Sequence, residues 1–310
     1  MIAERHRASY APVVCAEIPR ILGLGDRDPA SRTFGCFDRA YWHYASADFP
    51  NARFQEVATL LALLHRHELP GNMLFGRRVA VEWARAAVEF WTERRHRDGS
   101  VTEAYPAERS FCATAFGFAA VTRTYLLLGL EPPATWQTTA TWLAAADNPD
   151  AANQVAAAAH ALANWGTLTG ERRWTEHASA KATMLCARQD GEGWFPEYGG
   201  ADVGYATLTV GQLARVQDHV HDPKLEAALE RAITFVDGRI GDDGWHDPSA
   251  GSRRTQFVYP YGLVALGARS VPAHARGVAE GRLLHPGWLD DRYLVQLALD
   301  FLEAAVTPCS

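Results

Sequence analysis

The sequence has few cysteines, and their spacing matches no known site. The 310 residues include 5 cysteines, at positions 15, 36, 112, 186 and 309. Because they are scattered, odd in number and lack a C-x-x-C pair, they argue against a disulfide framework and a thiolate metal site. Such usage is typical of a reducing compartment. No other metal-ligand spacing is evident, so we predict no metal ion.

A basic excess and a long apolar run are both missing. The chain has 30 Lys and Arg residues against 36 Asp and Glu residues, a formal charge of −6, whereas nucleic-acid-binding proteins carry a basic stripe. No run approaches the roughly 20 apolar residues that span a bilayer. Residues 1–7 are charged, with no apolar core behind them, unlike a signal peptide. We expect a cytoplasmic protein without nucleic-acid partners or a membrane span; its oligomeric state stays open.

A glycine-rich nucleotide loop is also missing. The cluster Leu22-Gly23-Leu24-Gly25 follows no strand pattern and lacks the third glycine of a dinucleotide-binding loop. We interpret it as a turn that ends a helix. No strand-type alternation of useful length occurs. The sequence therefore predicts an all-α protein with no nicotinamide, nucleotide or other cofactor.

A recurring unit is present instead. A helix ends in a Gly/Asp turn, a loop rich in aromatic and charged residues follows, and an Ala- and Leu-rich helix comes next. Clear copies span 97–128, 189–217 and 241–268, and weaker ones begin near residues 37, 147 and 286. More polar helices are predicted between the Ala- and Leu-rich ones, over residues 8–24, 77–96, 134–146, 172–188, 223–239 and 272–283.

The two kinds of helix differ in their apolar faces. In 77–96, apolar residues such as Trp83 and Phe90 recur at helical spacing while charged residues face away. Residues 151–163 are small and apolar nearly all round, which predicts a helix packed on every side. Six half-exposed helices alternating with six buried ones predict one domain over 1–310, an (α/α)6 toroid that forms a closed ring of six helical hairpins. An open helical-repeat array is the alternative.

In such a ring, the loop before each inner helix opens on the same face. These loops are dense in aromatic rings and charges, which suit a sugar or the cation of a terpenoid reaction. The candidate catalytic residues are Asp38, His43, Glu197, Asp202, Tyr205 and His246. The candidate substrate-binding residues are Arg39, Tyr41, Arg53, Glu56, Glu103, Tyr105, Glu108, Arg109, Asn153, Tyr198, Trp245, Arg254, Tyr259 and Trp288.

Structural roles are the alternative for several of these side chains. Trp245 and Trp288, like Trp194, follow glycine turns and could pack between helices, with glycine supplying a positive φ. Asp202 precedes a helix and suits an N-cap, while Asp38 and Arg39 could form a local ion pair. What favours a functional site is that about six loops carry the same chemistry.

The segment Gln189-Asp190-Gly191-Glu192-Gly193-Trp194 resembles the Q-x-x-x-G-x-W repeat of squalene and oxidosqualene cyclases and related prenyltransferase toroids. The turn from Gly241 to Trp245 is a degenerate copy. The resemblance implies a toroidal fold more than a reaction, since the protonating D-x-D-D of the class II cyclases is missing.

Three other segments, 38–56, 103–110 and 197–205, are similar to heparinase II/III-like proteins associated with bacterial surface polysaccharides. In such toroidal lyases an Asn-His pair opens an inner helix and a Tyr lies across the cavity. Asn153-Gln154 is similar to that pair, with Gln in the place of His. The resemblance implies an enzyme that acts on polysaccharide.

Elimination and hydrolysis would need different residues. In β-elimination, Asn153 or Arg53 could neutralise a uronate carboxylate, and Tyr205, His43 or His246 could transfer the protons. Hydrolysis needs two carboxylates about 5–10 Å apart. Possible pairs come from Asp38, Glu56, Glu103, Glu108, Glu197 and Asp202.

Three hypotheses follow from these patterns. The first is a carbohydrate-active enzyme (lyase, epimerase or hydrolase) acting on an acidic saccharide or glycoconjugate, with a wet cavity of paired polar groups at one end of the toroid. The second is a terpenoid cyclase-like enzyme, with a dry aromatic cavity and one carboxyl of raised pKa. The third is a non-catalytic binding or scaffold toroid, whose loop acids and arginines pair and leave no open cavity.

Overall fold

A computed structural model describes residues 2–308 of the chain; Met1, Cys309 and Ser310 lie outside the described residues. Over that range the protein is all-helical, as predicted, with isolated β-bridges but no strand. The α-helices are α1 (Ile2–Ala16), α2 (Ile18–Leu24), α3 (Arg39–Trp42), α4 (Val57–Arg66), α5 (Arg78–Glu93), α6 (Phe111–Leu128), α7 (Gln137–Ala145), α8 (Ala152–Thr169), α9 (Arg172–Ala187), α10 (Val203–Val220), α11 (Pro223–Asp237), α12 (Pro260–Ala265), α13 (Val271–Ala279) and α14 (Asp291–Val306).

The predicted helices are found near their expected positions, but the helix predicted over 256–268 is only the six-residue α12, and one other segment is divided. The segment 8–24, expected to be one helix, forms α1 and α2, which meet at Glu17. Pro19 lies at the start of α2, where its missing N–H costs nothing and its fixed φ suits the first turn. A second helix therefore begins there instead of one helix continuing through the segment.

Helix ends and burial follow local chemistry. The Ser110 hydroxyl accepts a hydrogen bond from the Ala113 amide and caps α6, which ends at Gly129 in the left-handed conformation. On α5, Phe90 is buried and Arg85 exposed, as their spacing predicts. In α8 most residues from Ala152 to Gly166 are buried, which confirms the prediction for the Ala-rich segment.

The Ala- and Leu-rich helices contact one another in sequence. Helix α4 packs on α6, α6 on α8, α8 on α10, α10 on α12, α12 on α14, and α14 on α4. The more polar helices pack outside them: α5 contacts α4, α7 and α9 contact α8, α11 contacts α10, and α1 and α13 contact each other while α1 also contacts α14. The loops that precede the first set of helices therefore meet near one another.

Helix α6 is unusually apolar. Among the described residues, it is the one helix whose length and composition would allow it to cross a membrane. However, 67 % of that stretch is buried inside the protein, and the central helix of a packed bundle has the same composition.

Candidate functional site

A cavity of about 570 Å³ opens where these loops meet. Its walls come from the segment before α4, the loops before α6, α10 and α12, and the first turns of α8 and α14. The predicted residues that line it are Arg53, Glu103, Tyr105, Glu108, Arg109, Asn153, Glu197, Tyr198, Tyr205 and Tyr259. Each of these segments therefore contributes polar groups or aromatic rings to the cavity.

Glu197 is the most perturbed carboxylate on the cavity wall. The residue is 2 % exposed. Its Oε2 accepts a hydrogen bond from Asn153 Nδ2 at 2.6 Å, and its Oε1 lies 3.5 Å from Arg253 Nη1. Burial raises the pKa of Glu197 to about 7, although Asn153 and Arg253 both act to lower it. A carboxyl with that pKa can give or take a proton near neutral pH.

The Glu197 loop is held by backbone contacts. The Glu197 amide donates to Gly200 O at 2.9 Å, and the Ser252 hydroxyl donates to Glu197 O at 2.6 Å. Tyr198 adopts a positive φ of 50°, which is uncommon for a residue with a side chain. Such conformations persist only where the surroundings impose them and cluster at functional sites.

Arg253 and two tyrosines surround Glu197. The guanidinium carbon of Arg253 lies 4.5 Å from the Tyr198 ring centroid and 5.0 Å from that of Tyr205. The side chain of Arg253 remains 37 % exposed. Tyr205 is hydrogen bonded to Tyr293, and burial raises the pKa of Tyr205 above its ordinary value, so its hydroxyl keeps its proton at neutral pH.

A second group of charges lies elsewhere in the cavity. Glu103 accepts hydrogen bonds from Arg292 and, at 2.7 Å, from the Ser110 hydroxyl. Arg53 pairs with Glu56, and its Nη1 lies 3.0 Å from Cys112 Sγ. The Arg53–Glu56 pair is buried, whereas the side chain of Arg292 is 37 % exposed and that of Glu103 is 9 % exposed. Each pair is formally neutral, so this part of the cavity has no excess charge.

Below the cavity a polar core continues between the inner helices. A void of about 40 Å³ is lined by Glu56, His160, Gln212, Arg215 and Glu303, among others. His160 Nδ1 donates to Gln212 Oε1 at 2.8 Å, and Arg215 is paired with Glu303. Burial keeps the pKa of His160 well below its ordinary value. This core is too small for a substrate and is suited to hold the helices in register.

Of the candidates from the first loop, Arg53 lines the cavity but Asp38, Arg39, Tyr41 and His43 do not, which corrects the expectation that all of them meet there. Asp38 caps α3 by accepting from the Ala40 amide and also accepts from the Asn51 amide. Arg39 packs over the Tyr44 ring, whose edge also faces His43. Tyr41 lies instead in a separate cavity of about 200 Å³ beside α5. The cause is the short helix α3, which carries these residues aside.

Candidates from the later loops are also displaced. Asp202 caps α10 through the Tyr205 amide and accepts further from the Thr255 amide, as its N-cap interpretation predicts. His246 is buried and donates from Nε2 to Thr255 O at 2.9 Å. Arg254 adopts a positive φ of 54° and is exposed at the turn. These residues shape the loop before α12 and do not line the cavity.

The structure contradicts both interpretations of Trp245 and Trp288, as cavity residues and as residues packed between helices. Trp245 is 51 % exposed and Trp288 is 54 % exposed, so neither is buried between helices and neither lines the cavity. Trp194 does pack against the core. Glu56 lies below the cavity, where it pairs with Arg53 and lines the small void.

Several lining residues were not predicted. They are Ala104, Ser110, Phe111, Cys112, Phe116, Asn148, Gln154, Leu208, Arg253, Arg292, Tyr293 and Gln296. For α14 a usable signal exists, because Arg292, Gln296 and Asp300 recur every four residues in an otherwise apolar helix. That spacing places them on one helix face. Arg253 lies in an irregular loop, where the density of charged and aromatic residues is the one signal that points to it.

Comparison with known proteins does not identify a relative. No family model matches the chain, and no curated protein matches it. Among the residues that the structure describes, no group of three or more His, Cys, Asp or Glu side chains could hold a metal ion. The chemistry of the site has to be argued from its own residues.

Proposed function

We propose that the chain is an acid–base enzyme that acts on an acidic saccharide or glycoconjugate in the main cavity. The observation that carries this proposal is Glu197, a buried carboxyl on the cavity wall whose pKa is raised to about 7 beside the part-exposed cation of Arg253. Perturbed carboxyls in clefts are typical of proton-transfer sites. Arginine beside aromatic rings suits the carboxylate and apolar face of a uronate.

The donors fit elimination better than hydrolysis. Arg253 would neutralise the uronate carboxylate, and ionised Glu197 would take the proton from the adjacent carbon. The electron pair of that C–H bond forms a carbon–carbon double bond as the C–O bond to the leaving group breaks. Tyr205, which keeps its proton at neutral pH, would protonate the leaving oxygen. The Asn153 side-chain amide donates to Glu197, so Asn153 would position the base instead of neutralising the substrate carboxylate.

Hydrolysis would need a second carboxylate in a free state. Glu103 is the other buried carboxylate on the cavity wall. Arg292 and Ser110 both donate to it, so its oxygens are already engaged by other side chains. An epimerase would use the same proton abstraction without loss of a leaving group. The reaction product distinguishes elimination, hydrolysis and epimerisation.

We also propose that the helices form the closed six-hairpin toroid, with α4, α6, α8, α10, α12 and α14 as its inner ring. The circuit of contacts from α4 through α6, α8, α10 and α12 to α14 and back to α4 supports this arrangement. In a closed ring the loops before the inner helices share one end, which agrees with the six segments that line the cavity. An open array would leave its first and last inner helices apart.

The two other hypotheses are less well supported. A terpenoid cyclase would share the raised pKa of Glu197, but the arginines at positions 53, 109, 253 and 292 would repel a carbocation in the same cavity. A scaffold protein would have its loop charges paired, as Arg292 and Glu103 are, but would not keep an open cavity of about 570 Å³.

The test compares wild type with Glu197→Gln, which keeps the side-chain shape and an acceptor for Asn153. Uronate oligosaccharides are the substrates, and the ultraviolet absorbance of an unsaturated uronate is the readout. We expect turnover to fall about 10²–10⁴-fold in Glu197→Gln, while Glu192→Gln, an exposed carboxylate paired with Arg239, stays active.

Other outcomes would redirect the proposal. Cleavage of the saccharide without formation of a double bond would point to hydrolysis. Inversion of a sugar carbon without cleavage would point to epimerisation. If prenyl diphosphates alone raise the melting temperature, the cyclase hypothesis replaces the carbohydrate one. Full activity in Glu197→Gln would remove Glu197 from the mechanism.

A further inference from the structure

Two ion pairs and an unpaired amide lie at, or just below, one part of the cavity wall. Arg292 pairs with Glu103, and Arg53 pairs with Glu56. Gln296 lies one helical turn after Arg292 on α14 and lines the same cavity. Each ion pair is formally neutral, so this part of the cavity offers no excess charge to attract a charged ligand group.

Two buried donors in this part of the cavity have no acceptor. Gln296 is 7 % exposed, and its Nε2 has no hydrogen-bond partner among the described residues. The Nε of Arg292 is likewise buried without a partner. A buried donor left without an acceptor destabilises the protein, because it has lost its hydrogen bonds to water. A ligand acceptor that reaches Gln296 would therefore gain more here than at a surface amide.

The region around Arg253 differs in charge. Its guanidinium is part-exposed between the rings of Tyr198 and Tyr205, and its one carboxylate neighbour, Glu197, can be protonated. Tyr205 is hydrogen bonded to Tyr293, and the Tyr293 ring lies beside the Arg292 guanidinium. These tyrosines therefore stand between the Arg253 region and the Arg292 region.

We infer that the region around Gln296, Arg292 and Glu103 binds a pair of neutral sugar hydroxyls, while the carboxylate of the same sugar binds at Arg253. This inference rests on the proposed function, because it assumes a saccharide ligand. A hydroxyl can accept from Gln296 or Arg292 and donate to Glu103. A carboxylate in the same place would face Glu103, and Arg292 is already paired with that residue.

The experiment measures the affinity of sugars that differ only at C6. D-glucuronate is compared with D-glucose, and D-galacturonate with D-galactose, by titration against the full chain. We expect wild type to prefer the uronate in at least one pair. Arg253→Gln should remove that preference and leave the affinity for the neutral sugar unchanged.

Gln296→Leu should act differently. It removes the unpaired donor at nearly constant volume, so the affinities for the uronate and for the neutral sugar should fall by the same factor, about three- to tenfold. The preference for the uronate should stay as in wild type. The matched control is Gln212→Leu, another buried glutamine on an inner helix, which pairs with His160 below the cavity and should leave both affinities unchanged.

Each contrary result has a separate meaning. If the sugars bind but Gln296→Leu leaves their affinities unchanged, the hydroxyl site is wrong and the proposed function stands. If Gln296→Leu lowers only the affinity for the uronate, the carboxylate binds at Gln296 and the assignment is reversed. If none of the four sugars binds wild type, the proposed function fails and the hydroxyl site fails with it.

Discussion

The side-chain amide of Asn153 donates to the carboxylate of Glu197 at 2.6 Å, across 44 residues of sequence. Asn153 lies in the first turn of α8, and Glu197 lies in the loop before α10. The contact holds one carboxylate oxygen of Glu197, while the other oxygen faces Arg253. It explains how an irregular loop can hold a titratable group in one orientation at the wall of a cavity.

The free energy of unfolding should depend on pH through Glu197. Its folded pKa, raised from 4.5 to about 7, means that the folded state holds the proton more tightly than the unfolded state. This contribution to stability is complete below about pH 4.5 and is lost as pH rises through about 7, a change of about 3 kcal/mol. Glu197→Gln should therefore lose less stability than wild type between about pH 5 and about pH 8.

Urea denaturation at the two pH values measures this difference. Asp300, whose pKa burial also raises to about 7, titrates in the same window in both proteins. Its contribution cancels in the comparison, so the difference belongs to Glu197. Identical pH dependence in the two proteins would show that Glu197 is ionised normally in the folded state.

Removing the Asn153 amide should raise the pKa of Glu197 further. The hydrogen bond from Asn153 favours the ionised carboxylate, so Asn153→Ala removes a term that lowers the pKa. Carbon-13 NMR of labelled glutamate should detect the upward shift. Asn148→Ala is the control, because Asn148 lines the same cavity but donates to Gln154. A downward shift in Asn153→Ala would contradict the assigned role of this contact.

The turn before Trp194 should require glycine at one position and tolerate alanine at another. Gly193 has a φ of +100°, and a Cβ there would lie 2.4 Å from Arg231 O on α11. Both strain and overlap should make Gly193→Ala destabilising by about 2–4 kcal/mol. Gly191→Ala, with nothing within 4 Å, should change stability by less than about 1 kcal/mol. Thermal denaturation of the two variants tests this, and equal effects would argue against the close approach.

Arg215 should be required for stability below the cavity. It is buried, paired with Glu303, and its Nη2 lies 3.7 Å from Asp300 Oδ2. Arg215→Met leaves buried carboxylates without a counter-charge and should cost about 3–5 kcal/mol. Arg172→Met removes the exposed pair with Glu176 and should cost at most about 0.5 kcal/mol.

Chemical denaturation of the two arginine variants is the measurement. The loss in Arg215→Met should be smaller at acidic pH, because burial raises the pKa of Asp300 to about 7 and protonation removes its unpaired charge. A pH-independent loss equal to that of Arg172→Met would mean that the buried network contributes nothing to stability.

Helical periodicity was enough to predict most of the helices. The alternation of a polar helix with an Ala- and Leu-rich one is readable because side chains three and four residues apart share a face. The same spacing could have indicated Gln296, which recurs with Arg292 and Asp300 on α14. The amphipathic pattern of 8–24 predicts one helix. In the structure a second helix begins at this point, with Pro19 in its first turn.

The site was only partly predictable, because loops are positioned by contacts distant in sequence. The loop before α10 could be expected to face the centre, and it carries Glu197 and Tyr205 into the cavity. The first loop carries similar side chains, but α3 turns Tyr41 toward a separate cavity. Composition could not separate these two loops.

The sequence by itself determined which segments are helical and which helix faces are buried, because both depend on interactions within a few residues. Only the tertiary structure decided which loop side chains share a cavity and which carboxylate is perturbed. The raised pKa of Glu197 depends on its burial and on Asn153 and Arg253, which lie 44 and 56 residues away. Desolvation and charge pairing act through space, so no pattern along the chain could rank Glu197 above the other acidic residues.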